Sequence, residues 1–171
     1  MSKIAVISDS HGSIRNLKDF QKHLSETDAL WHLGDCAEDA PLIANRLNCG
    51  YVCVRGNCDP FSDEPLTRVI EWHRKRFLLL HGHTVSGRLY LLYAAKEQRC
   101  DAVLFGHSHI PSVECVDGIW LINPGSLSRP RTSLGPSLAL LHLSDSDLHV
   151  QLLFQNDRIQ DYSQSFNTFM H

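Results

Sequence analysis

The chain has 171 residues, 43% of them hydrophobic and 20% charged, with a formal net charge of −3. That length fits one domain able to bury roughly two thirds of its unfolded surface, and the composition excludes a disordered or fibrous chain. The acidic balance leaves no large basic field, so an obligate nucleic-acid partner is not expected.

In chain order, the run "KIAVIS" (Lys3–Ser8) is β-branched and closed by Asp and Gly, and predicts a buried strand. Ile14, Leu17, Phe20 and Leu24 then share one helical face, with Ser13 placed as an N-cap. "ALWHLGD" predicts a second strand, "DAPLIANRL" a helix with Pro41 in its first turn, and "YVCVRGN" a third strand. This alternation predicts parallel pairing with right-handed crossovers. Pro60 to Arg68 reads as loop, "RFLLLHGH" as a strand, "SGRLYLLYAAKEQR" as an amphipathic helix and "AVLFG" as another strand. Beyond Ser112 the pattern turns β-rich: "VECVDG", "IWLINPGS", "SLALLHLS" and "LHVQLLFQ", with "VDG" marking a hairpin. We expect one α/β domain over residues 1–171, with residues 156–171 an unplaced C-terminal tail.

The first apolar run is too short for a secretory signal, and no run approaches the ~18 residues of a membrane span, so a cytoplasmic protein without membrane contact is expected. Cys36, Cys49, Cys53, Cys58, Cys100 and Cys115 are accordingly expected as buried, reduced thiols. Eleven histidines are many for this length and prompt a search for metal ligands.

The polar residues gather where predicted strands run out. Asp9 and His11 ("DSH") follow the first strand, Asp35 ("GD") the second and Asn57 ("GN") the third. His81 ends "FLLLH", and His107 and His109 ("GHSH") follow "AVLFG". In open α/β sheets the loops beyond strand carboxyl ends converge on one crevice. Singly, each residue has an ordinary explanation: Asp caps a helix, Gly-Asp makes a turn, Asn tolerates positive φ, and a lone His bonds at a boundary. Together, and all at strand ends, they point to a single site. Carboxylate, imidazole and amide donors without thiolate suit Mn²⁺, Fe²⁺, Zn²⁺ or Mg²⁺. Seven such donors exceed one tetrahedral set, which points to two ions sharing a carboxylate.

This ordered set resembles the calcineurin-like metallophosphoesterases, whose signature is D-x-H, G-D, G-N-H-D/E, a histidine and G-H-x-H. Here it reads "DSH", "GD", "GNCD" (Asn57 to Asp59), "HGH" and "GHSH", spanning Ile4 to Ser126 once "NPGS" (Asn123–Ser126) is included. In length, "RGNCD" and "NPGS" the chain is similar to the small YfcE-type phosphodiesterases of that family. The resemblance implies a four-layer fold: two facing mixed β-sheets with helices outside and metals at one edge of the sandwich. It implies that Asp9, His11 and His109 hold one metal, Asn57, His81 and His107 the second, and that Asp35 bridges them. The implied cofactor is a pair of divalent ions, manganese first, with iron, zinc, nickel or magnesium as alternatives. The implied reaction is in-line attack of metal-bound hydroxide on a small phosphoester, in a protein whose relatives are often dimers or tetramers.

One position departs from the pattern. Many members have a leaving-group-protonating His where this chain has Cys58. A thiol can supply a proton at neutral pH, and a packed cysteine is the other reading. Arg129, in "NPGSLSRPR", is the candidate substrate-binding residue, beside the backbone amides around Gly125 and Ser126. His83 has no assigned metal role. The retromer coat's smallest subunit shares the family fold without the motif His, so a non-catalytic interaction scaffold is the alternative function.

Overall fold

The structure, a computed structural model, describes residues 1–165. Strands β1 (Ser2–Ile7), β2 (Ala29–His32) and β3 (Gly50–Cys53) run parallel, as predicted, with α2 (Asp39–Leu47) crossing from β2 to β3. β1 also pairs antiparallel with β9 (Ser137–Leu143), followed outward by β10 (Asp147–Phe154) and β11 (Ile159–Ser165). The second sheet has the order β4 (Thr67–Trp72), β5 (Lys75–Leu80), β6 (Ala102–Leu104), β8 (Ile119–Asn123), β7 (Ser112–Val116). Within it β5, β6 and β8 run parallel. The expected mixed two-sheet fold is therefore observed.

Strand alternation places side chains to build four layers. Ile4, Val6, Trp31 and Leu141 of one sheet meet Phe77, Leu79, Leu104 and Ile122 of the other in a shared core. On the opposite faces, Ala5, Ile7 and Leu140 pack with Leu17, Phe20 and Ile43, while Leu78, Val103 and Leu121 pack with Leu91, Leu92 and Ala95 of α3 (Arg88–Gln98). No helix among the described residues is long and apolar enough to cross a membrane.

Several local expectations need correction. The segment after β1 is not one helix capped by Ser13. A 3-10 turn (Arg15–Phe20) leads into the single turn α1 (Gln21–Leu24), and the cap position is Ile14, without a side-chain bond. The Ser13 N–H instead donates to the Ser10 carbonyl, closing a tight turn that leaves His11 and Gly12 left-handed. The predicted loop Pro60 to Arg68 overlaps β4, whose hairpin to β5 turns at His73 and Arg74, both left-handed (φ 48 and 60). Asn-Gly is the usual signal for that turn, so "HR" gave none. By contrast, Asp117 and Gly118 (φ 51 and 79) make the turn read from "VDG". The C-terminal tail, left unplaced from sequence, pairs with β10 as β11 through Ser165, and residues 166–171 lie outside the described residues. All six cysteines are free, but only Cys53 and Cys100 are buried, and Cys58 and Cys115 are exposed.

His32, at the end of β2, is fully buried, and burial lowers its pKa to about 4. Its Nδ1 accepts the Gly34 N–H, so Nε2 holds the proton and faces Ser10 Oγ at 3.0 Å. The unfolded chain gains a proton near pH 6.5, whereas the folded chain resists until about 4. Stability is thus fully present above pH 6.5 and falls as pH drops through that window, by on the order of 3 kcal/mol. Urea midpoints at pH 7 and pH 4 are expected to differ less in His32→Asn than in the native chain. Equal slopes against pH would contradict this linkage.

Candidate metal centre

The carboxyl ends of β1, β2, β3, β5, β6 and β8 open on the same edge of the sandwich, because both sheets carry their parallel strands in register there. Asp9, His11, Asp35, Asn57, His81, His107 and His109 all sit on the loops leaving these ends. Five of them (Asp9, His11, Asp35, His107 and His109) are left-handed, with φ between 46 and 64. Left-handed geometry costs a non-glycine residue on the order of 1 kcal/mol, and such strain concentrates at functional sites. Asn57 is not among the positive-φ residues, so tolerance of that geometry does not explain it. Asp9 and Asp35 cap no helix either: the cap positions are Ile14 and Glu38.

The side chains converge. One ligand-type atom from each of Asp9, His11, Asp35 and His109 lies within 4.8 Å of the others. His109 Nε2 is 3.0 Å from Asp9 Oδ1 and 3.4 Å from His11 Nε2. His81 Nε2 is 3.3 Å from Asp35 Oδ1 and 3.9 Å from Asp9 Oδ1. The His107 ring stands 5.2 Å from that of His81, and His107 and Asn57 are the exposed members of the set. A cleft of about 310 Å³ is lined by His11, Asp35, Asn57, Cys58, His107 and His109, with Arg129 and Arg131 on its wall.

Hydrogen bonds set which atoms face inward. His81 Nδ1 donates to the Leu33 carbonyl at 2.8 Å and His109 Nδ1 to the Arg129 carbonyl at 2.6 Å. A carbonyl only accepts, so in each neutral ring the Nε2 lone pair points into the site. Asp9 Oδ2 is occupied by Ser8 Oγ–H and the His107 N–H, but Asp9 Oδ1 is buried with no hydrogen bond. His81 Nε2 is likewise buried and unbonded, because its close approach to Asp35 lacks hydrogen-bond alignment. Burial would raise the Asp35 carboxyl, but the adjacent His81 imidazole and the bond from the Cys58 N–H outweigh it and hold it well below the usual range. For His81, burial works downward, and the Asp35 contact followed by the Asp9 charge raises it. Unsatisfied acceptors facing one another in a buried space are costly unless a cation lies between them. Oxygen and imidazole donors of this kind fit divalent metal ions.

Residues that sequence reasoning passed over hold the ligand loops in place. Asp59 accepts four backbone N–H groups: Asp35 and Gly56 on Oδ2, Cys36 and Ala37 on Oδ1. Ser126 Oγ donates to the Asp9 carbonyl and accepts the Arg129 N–H. Asn123 Nδ2 donates to the Gly106 carbonyl, while its Oδ1 takes the Gly125 N–H, so that amide is not free for a phosphate. Glycine is required at Gly56 and Gly106, where an added Cβ would lie 2.2 Å from Asp35 Oδ1 and 1.9 Å from Ser8 Oγ. A glycine before the ligand was a visible signal. Asp59 was visible only as a letter of "GNCD". Cys58 is exposed at the cleft and so is not a packed core cysteine; partial burial and then the Asp35 carboxylate push its thiol up. His83 Nδ1 is buried without a partner and its ring stands 5.5 Å from His81.

Residues 2–146 match the family described as the calcineurin-like phosphoesterase superfamily domain. The chain is 34% identical to a probable metallophosphoesterase, YsnB, of Bacillus subtilis, over 92% of this chain and 95% of that protein. It is 29% identical to the phosphodiesterase YfcE of Escherichia coli, again over 92% and 95%. It is also similar to the crystal structure of Vps29 complexed with Zn²⁺ from Entamoeba histolytica, at 25% identity and a TM-score of 0.80, over 96% of this chain and 99% of that one. A site of facing carboxylates and imidazoles on this fold, and a match over most of the chain, make it a member of the calcineurin-like phosphoesterase superfamily.

Proposed function

We propose that the protein is a phosphodiesterase that works with two divalent cations, manganese first and iron, zinc, nickel or magnesium compatible. The observation that carries this is the pair of buried, unbonded acceptors, Asp9 Oδ1 and His81 Nε2, set against Asp35 and His109. Asp9, His11 and His109 would hold one ion and Asn57, His81 and His107 the other, with Asp35 shared. When bound, the ions supply Lewis acidity to the phosphoryl oxygens and acidify water at the site.

The chain's own groups do the positioning. The Leu33 and Arg129 carbonyls fix two imidazoles, and the Asp59 loop fixes Asp35. Arg129 presents a guanidinium on the cleft wall, where it can donate to non-reacting phosphate oxygens. The Cys58 thiol keeps its proton at neutral pH and stands at the cleft to pass it to a departing oxygen, a weaker acid than imidazolium. Small esters with good leaving groups are therefore the favoured substrates. The name of the Escherichia coli relative supports a diester over a monoester. Free thiols, two of them exposed, fit a reducing cytoplasm.

A second reading, a non-catalytic scaffold, is favoured by the exposed Leu89, Tyr90 and Tyr93 on α3 and by likeness to Vps29. One experiment separates the two. Chelator-stripped protein is expected to lose aryl phosphodiester hydrolysis and to regain it with added Mn²⁺. Full activity without metal refutes the proposal, and bound metal without turnover favours the scaffold.

A further inference from the structure

We propose that a second pocket, across His107 from the metal centre, receives the nucleoside of a nucleotidyl phosphodiester as the part retained on phosphorus, the other ester group departing; this rests on the phosphodiesterase reading and names its substrate class. The pocket, of about 310 Å³, lies between the start of α3 and the β6–β8 face, and Val85, Leu91, Phe105 and Leu121 make it apolar. Leu91 and Leu121 are buried, and Val85 and Phe105 pack on the same cluster, so the floor is part of the core. Arg88 and Glu114 line the pocket as well, half-exposed and ion-paired, with Nε to Oε2 at 3.2 Å.

Continuity with the centre argues for substrate. His107 lines both the pocket and the metal cleft. Beside His107, the pocket lining consists of the small residues Gly82, Gly106 and Ser108. A phosphate held in the cleft with its retained ester group directed past His107 would place that group at this pocket.

Its size and chemistry select the group. Small-molecule pockets run from about 300 to 1,000 Å³, and this one sits at the lower end, which suits a ring system with a sugar. An apolar floor favours a flat ring over a glycerol-type group, which has no apolar face to bury. A guanidinium donor beside a carboxylate acceptor complements a heterocycle with both acceptors and donors on its edge. An exposed ion pair is worth little by itself, so re-aiming it towards a base loses little.

Methyl NMR of the full-length, Zn²⁺-loaded protein tests this, with adenosine 5′-monophosphate, phenyl phosphate and inorganic phosphate as probes. The nucleotide is expected to shift the Val85, Leu91 and Leu121 methyls and to bind at least about tenfold more tightly than either other probe. Val85→Phe, which fills the pocket, and Arg88→Ala, an exposed change that keeps the fold, are each expected to remove most of that preference. Silent pocket methyls, equal binding of phenyl phosphate, or an unchanged preference in Arg88→Ala would overturn the proposal. The readout does not depend on turnover. A chain that hydrolyses aryl diesters with silent pocket methyls loses the pocket and keeps its phosphodiesterase activity; shifted methyls without turnover do the reverse.

Discussion

Asp35→Ala is expected to lower turnover of an aryl phosphodiester by about a thousandfold or more while leaving thermal unfolding cooperative. Asp35 is the carboxylate common to both halves of the centre: Oδ2 lies 3.7 Å from His11 Nε2 and Oδ1 lies 3.3 Å from His81 Nε2. Asp9 approaches the same two imidazoles, each at 3.9 Å, but through Oδ1 alone. Structurally the carboxylate contributes much less. Its clearest hydrogen bond comes from the Cys58 N–H at 2.9 Å, worth about 1 kcal/mol, and the rest of the loop is held by Asp59. The same separation of effects is expected for His109→Ala, whose Nδ1 is anchored by the Arg129 carbonyl. Steady-state kinetics alongside calorimetry distinguishes the two effects. Near-normal turnover in either variant would remove these residues from the ligand set.

Asp59→Ala should fail in the opposite manner, through the fold. Four backbone N–H groups, of Asp35, Cys36, Ala37 and Gly56, point at its carboxylate at 2.8 to 2.9 Å. Asp59 is 8% exposed, so water cannot readily replace the lost oxygens. Leaving several buried amides unpaired costs about 1–3 kcal/mol each, partly relieved by loop relaxation, so a loss of about 3–5 kcal/mol is expected. Activity should fall with it, because Asp35 and Gly56 lose their common anchor. Asp59→Asn keeps one acceptor oxygen and is expected to fall between the native chain and Asp59→Ala in urea midpoint. A midpoint for Asp59→Ala within error of the native chain would show that the loop is held by other contacts.

What was legible in the sequence follows from range. β1 and α2 were readable because their signals are local: a β-branched run closed by Asp9, and an amphipathic segment with Pro41 in its first turn. The ligand candidates were readable because polar residues at the ends of apolar runs stand out, and parallel pairing sends those ends to one edge. β4 was missed because its half-exposed alternation and "HR" turn resemble ordinary loop. The Ser13 cap failed because a turn needed to place His11 takes its backbone first. The supporting bonds were unreadable for a stricter reason. Asp59 reaches amides 22 to 24 residues away, and Ser126 reaches the Asp9 carbonyl across 117 residues. Such pairings exist only after the two sheets have packed, and nothing in the local sequence encodes their partners.

Anomalous scattering from crystals grown with Mn²⁺ puts the two-cation assignment to its most direct test. Two peaks are expected at the strand edge, one flanked by Asp9, His11 and His109, the other by Asn57, His81 and His107, with Asp35 reaching both. No peak within reach of Asp9 Oδ1 and His81 Nε2, or a metal held only elsewhere on the surface, would contradict it.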